Sequence, residues 1–94
     1  MTSGLLLIDT GIREMYLPVF CTDRELVHTV LCDAMDLWSR RDQEVSRDDT
    51  VAFYEIANAL LRERDGGFIG PETVEYQGDA PFVFTADLRN CRIV

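Results

Sequence analysis

Three groups of residues in this 94-residue chain could do chemistry. The first is His28, the sole histidine, which stands four residues before Cys32. At helical spacing the two share one side, and Glu25 and Asp36 fall in the same strip. An imidazole beside a thiol can bind zinc, with Cys21 or Cys91 as a further ligand, or it can activate the thiol as a nucleophile. Structural zinc sites commonly take four ligands in paired spacings, and the chain has no CxxC pair. The plainer reading makes His28 a boundary residue and Cys32 a small residue on a helix flank, so neither metal nor cofactor is expected. The second group is a series of carboxylates, Glu25, Asp33 and Asp36, followed by Asp42, Glu44, Asp48 and Asp49. Such a series can occupy the places that phosphates would take on a basic protein. Its plainer reading is a solvated face that keeps the chain soluble, diluted by Arg40, Arg41 and Arg47.

The third group is Asp9-Thr10-Gly11, directly after the apolar run Leu5-Leu6-Leu7-Ile8. It resembles the apolar strand and Asp-Thr-Gly of the retroviral-type aspartic proteases, with an echo of their later apolar-apolar-Gly motif at Phe68-Ile69-Gly70. The resemblance implies a homodimer in which Asp9 of each copy shares a proton to activate water. It covers few residues. Ile12 stands where that family has Ala or Ser, and residues 22–65 read as helices where that family is nearly all β. Asp-Thr-Gly is equally a hairpin turn, since Asp and Gly both favour such conformations. Gly67-Phe68-Ile69-Gly70 is similar in spacing to the GxxG loop of KH-type RNA binders, but that loop lies between helices in a basic setting. Here it precedes Pro71-Glu72 and reads as a turn. With no Walker loop, dinucleotide fingerprint or serine elbow present, no catalytic residue is expected.

The elements that must position these residues follow from periodicity. Leu5–Ile8 reads as a buried strand, 9–11 as a turn, and Ile12–Phe20 as its hairpin partner, with Pro18 near an edge. Thr22 and Glu25 have the spacing of a capping box. Leu26, Val27, Val30, Leu31, Ala34, Leu37 and Trp38 then form one apolar stripe of a helix reaching about Arg41. Ser46 reads as the cap of a second helix, with Asp48 and Asp49 in its first turn. Its stripe is Phe53, Ile56, Ala57, Leu60 and Leu61, and Gly66 is its left-handed terminator. Strands are expected over Thr73–Gln77 and Phe82–Ala86, with room for a fifth over Cys91–Val94.

This order, β-β-α-α-β-β, predicts an α+β fold: a small antiparallel sheet with two helices packed on one face. One compact domain over residues 1–94 is expected from the length. With 47% hydrophobic residues the chain can build a core. The formal charge is −8, with 17 acidic and nine basic residues, every basic one Arg. It is spread without an acidic tail or basic arm, at −1 over residues 1–21, −3 over 22–44 and −2 over each of 45–65 and 66–94. That sign repels phosphate backbones and anionic membranes, so neither nucleic acid nor membrane is an expected partner. An odd set of three cysteines fits reduced thiols in a cytoplasm, and the N-terminal apolar run is too short for a leader or a span.

The expectation is therefore a non-enzymatic, cytoplasmic protein-binding module whose partner carries a basic surface. A phage or mobile-element counter-defence inhibitor that blocks a nucleic-acid-handling complex suits this profile. Glu25, Asp33, Asp36, Asp42, Glu44, Asp48 and Asp49 would form its binding surface. The alternatives are a homo-oligomeric structural or regulatory subunit, homodimeric in the simplest case and using an apolar sheet face, and a small enzyme or metal protein acting through Asp9 or His28 and Cys32.

Overall fold

The computed structural model describes residues 2–40, 49–72 and 80–94. Strands β1 (Thr2–Asp9) and β2 (Glu14–Cys21) form the expected hairpin. Helices α1 (Arg24–Ser39) and α2 (Asp49–Asp65) follow, then β3 (Phe68–Ile69), β4 (Val83–Asp87) and β5 (Arg92–Ile93). The sheet order is β3-β2-β1-β4-β5. This is the α+β domain read from the sequence, including the fifth strand. One pairing differs from an all-antiparallel sheet: β4 lies parallel to β1, so the sheet is mixed. Since β2 holds one side of β1 and is itself bordered by β3, the far side of β1 is left for β4.

Register sorts the side chains. Leu6 pairs with Leu17 and Phe84, and Ile8 with Met15 and Ala86, so these share the face beneath the helices. Val27, Val30, Leu31, Ala34, Met35 and Trp38 of α1 are buried, as are Phe53, Ala57 and Leu61 of α2, and they complete one core. Leu37, expected in the stripe, is exposed, and Met35 takes an inward place. Residues 35 and 37 lie at opposite borders of the stripe, where spacing alone does not decide which of the two is covered.

The cap of α1 is also corrected. Asp23, one residue later than expected, is the N-cap and accepts from the Glu25 N–H at 2.9 Å. Thr22 is drawn away by Asp65 at the end of α2, as described below. Gly66 terminates α2 with a φ of +79°, donating its N–H to the Leu61 and Arg62 carbonyls. Next to it, a Cβ on Gly67 would stand 2.1 Å from the Phe20 carbonyl oxygen, so the chain can leave α2 against β2 only without a side chain.

Residues 68–69, read as part of a turn, instead form β3. Two side chains of α2 hold its outer edge: Asn58 Oδ1 accepts from the Ile69 N–H at 2.8 Å, and the Tyr54 hydroxyl donates to the Ile69 carbonyl at 2.9 Å. An edge closed in this way cannot take up a further strand there. Pro18 is accommodated because its carbonyl accepts from the Gly70 N–H on the β3 side. Its nitrogen therefore also faces away from β1, and the hairpin ladder loses no bond. The strand expected over Thr73–Gln77 and the cap expected at Ser46 lie outside the described residues.

Candidate functional site

The Asp9-Thr10-Gly11 segment is the hairpin turn. The Asp9 carboxylate accepts from the Gly11 N–H at 2.8 Å, and Gly11 takes a φ of +88°. The Thr10 hydroxyl oxygen accepts from the Ile12 and Arg13 N–H groups at 3.3 and 3.1 Å, and the Thr10 N–H donates to the Arg13 carbonyl at 3.1 Å. Side chains that bond their own backbone in this way make a short loop rigid. At its apex Ile12 is 97% exposed. Beside it lies a shallow depression of about 320 Å³ lined by Asp9, Gly11, Ile12, Arg13, Glu14 and Arg89.

Arg89 comes from the turn that follows β4, and two contacts bind that turn to the hairpin. The Leu88 N–H donates to the Asp9 carbonyl at 2.9 Å. The Arg89 side chain runs so close over Gly11 that a Cβ there would stand 2.1 Å from its Cδ. The turn itself is organised by Asp87, which is 8% exposed. Its carboxylate accepts from the Asn90 amide at 2.8 Å, the Arg89 and Asn90 N–H groups at 3.1 and 3.3 Å, and Arg92 Nε at 3.3 Å. The Asn90 side-chain bond leads the set that holds this carboxyl below its ordinary range, against the opposing effect of burial. Two locked turns thus sit side by side at one end of the sheet, with Ile12 projecting from them.

The acidic series is not a row of free carboxylates. Asp33 is paired with Arg64, which reaches across from α2, and Asp36 is paired with Arg40 at 3.2 Å one turn on. Both pairs are partly exposed, where such contacts contribute little and exchange readily. Glu25 is exposed in the first turn of α1. Asp49 opens α2, with its side chain outside the described residues, as are Asp42, Glu44 and Asp48. The structure therefore brings Asp33 and Asp36 to one side of α1, each beside a cation.

His28 and Cys32 do meet, with the sulfur 4.0 and 3.9 Å from the two ring nitrogens. The imidazole also lies against Phe84, ring centres 5.5 Å apart. Burial, then the neighbouring Asp33, pushes the Cys32 thiol up, which keeps it protonated at neutral pH. Among the described residues no three His, Cys, Asp or Glu side chains gather as metal ligands. Cys21 is buried beneath the sheet end, and burial, followed by Asp65 and Asp23, raises its thiol too.

Sequence reasoning passed over two carboxylates and one apex. Asp65 looked like an ordinary last-turn residue, and its only signal was its place just before Gly66-Gly67. It accepts from the Thr22 hydroxyl at 2.6 Å and from the Thr22 and Asp23 N–H groups at 2.9 and 3.2 Å. Asp87 precedes Arg89-Asn90, a visible turn signal. Ile12, expected at the start of a strand, belongs to the turn, and β2 begins at Glu14.

Compared with known proteins, the chain matches no family model, no curated protein and no solved structure.

Proposed function

We propose that this chain is a non-enzymatic protein-binding module that docks on a basic protein through the paired turns at the end of its sheet. The observation that carries this reading is Ile12, an aliphatic side chain 97% exposed on a turn fixed by its own side-chain bonds. Isolated exposed aliphatics are common on protein surfaces. A fully projecting one on a rigid apex, with Arg13 and Arg89 alongside, has the form of an interface anchor whose ordering cost is already met before binding. The charge of −8 supplies long-range attraction to a basic partner. Asp33 and Asp36 contribute to that field, and their exposed pairs with Arg64 and Arg40 can open to a competing cation. A nucleic-acid-handling complex is the class of basic partner this sign favours, blocked sterically without any chemistry on the part of the module.

The test is an affinity capture from host lysate with wild-type and Ile12→Asp proteins, each eluted by a salt gradient. A basic protein that leaves the wild type at moderate salt, and is missing from the variant, is the expected result. An unchanged partner set on Ile12→Asp would refute the anchor. With a partner in hand, charge reversal at Asp33 and Asp36 is expected to slow association at low salt, and an unchanged rate would refute the steering.

A second reading, self-association, is favoured by apolar side chains on the helix-free face. Phe20 and Phe68 stack there with centroids 4.7 Å apart, and Phe68 and Val83 are 39% and 41% exposed. Light scattering that gives a monomer at high micromolar concentration would remove it.

A further inference from the structure

Two of the three cysteines, Cys32 and Cys91, line one depression of about 300 Å³ between α1 and the start of β5, together with Met35, Asp36, Ser39, Arg92 and Ile93. Both cysteines are exposed, while Cys21 is fully buried. The backbones of α1 and β5 pack directly on one another. Ile93 pairs with Ala86 on the helix-covered face. Cys91 also has a φ of +51°, a left-handed backbone that glycine adopts without strain and a cysteine does not. A strained conformation kept for a side chain is grounds for asking what that side chain does. The Cys91 sulfur makes only a long 3.9 Å contact to the Leu88 carbonyl, so local hydrogen bonding does not explain it.

We infer that Cys32 and Cys91 form a dithiol modification site that closes to an intramolecular disulfide under a disulfide oxidant of the glutathione class. Cys91, in the turn before β5, attacks the small disulfide, forming a mixed disulfide and releasing one small thiol. Cys32 then attacks the Cys91 sulfur and displaces the second small thiol. Two electrons pass from the protein dithiol to the small disulfide, and the two protons lost from the cysteines end on the two released thiols. The Cys32 thiol is raised by burial and by Asp33, which slows its attack. The bond would fasten α1 to the last strand and so close a loop that includes α2, β3 and β4.

The experiment uses the whole chain, native, with oxidised glutathione, followed by intact-mass measurement and peptide mapping. Wild-type protein is expected to lose two hydrogens, with the Cys32 and Cys91 peptides linked and the change reversed by dithiothreitol. Cys21→Ser is expected to behave the same, while Cys32→Ser and Cys91→Ser each stop at a single glutathione adduct. Closing a long loop should raise the thermal midpoint of the oxidised form by about 10 °C. Persistent adducts on both cysteines without linkage, a bond between two copies of the chain, or a linkage to Cys21 would each overturn the inference.

Discussion

Replacing Asp65 with Asn separates the charge of this carboxylate from its shape. In the folded protein one oxygen accepts from the Thr22 hydroxyl and the Asp23 N–H, and the other accepts from the Thr22 N–H. Asn keeps one acceptor and places an NH₂ group where the other stood, so part of the Thr22–Asp23 corner then faces a donor. Hydrogen bonds to charged groups contribute about 1.5–3 kcal/mol. Asp65 is only half-buried, so water competes for its partners. With that discount, Asp65→Asn is expected to lower the unfolding free energy by about 1–2 kcal/mol, and the thermal midpoint by about 5–15 °C. The difference should also depend on pH. Burial alone would raise this carboxyl, but the bonds from Thr22, Asp23 and Gly67 outweigh it and hold the group below its ordinary value. A group lowered by folding stabilises fully above its unfolded value, about 3.9, and the contribution is lost as pH falls through the folded one. Urea melts at a series of pH values, followed by the fluorescence of the buried Trp38, would measure this. The gap between wild type and variant should be constant near neutrality and shrink below about pH 4. A gap of equal size at acid and neutral pH, or none at neutrality, would refute the reasoning.

Gly67→Ala sets a Cβ against the Phe20 carbonyl and 3.1 Å from Cys21 Cα, both backbone atoms that cannot swing aside. A loss of about 3 kcal/mol or more in denaturant unfolding is expected. Phe53→Ala empties a fully buried ring site beneath the sheet, costing about 3–5 kcal/mol in the same assay. Asp87→Ala releases the turn between β4 and β5, so the Thr85 and Val94 amides, which bond to each other's carbonyls, should exchange with deuterium faster than those of β2.

How much of this was legible in the sequence depends on whether the deciding partner was near or far along the chain. The apolar stripes of both helices, except for the exchange of Leu37 for Met35, the hairpin around Asp9-Thr10-Gly11 and the Gly66 terminator rest on spacings of a few residues, and they appear as expected. Thr22 and Asp23 are both good caps, and the choice between them was made by Asp65, from the far end of α2. A two-residue strand has no period of its own, and β3 exists because Asn58 and Tyr54 hold Ile69. The candidate site follows the same rule. The meeting of His28 with Cys32 was visible as helical spacing, whereas the ion pair of Asp33 with Arg64 and the convergence of Cys32 with Cys91 needed the packed structure.

The parallel pairing of β1 with β4 has a consequence for how the chain comes to be made. Leu5 lies beside Val83, which follows it in the chain only after both helices. During synthesis β2, both helices and β3 emerge while one whole side of the central strand still waits for its neighbour. Until Val83 to Asp87 arrive, Leu5 to Asp9 present open backbone groups along an apolar segment, a template on which other nascent chains could pair. Strand β4 therefore acts as a lock that arrives late. The sheet should close at the pace set by closing a long loop rather than by the fast local elements.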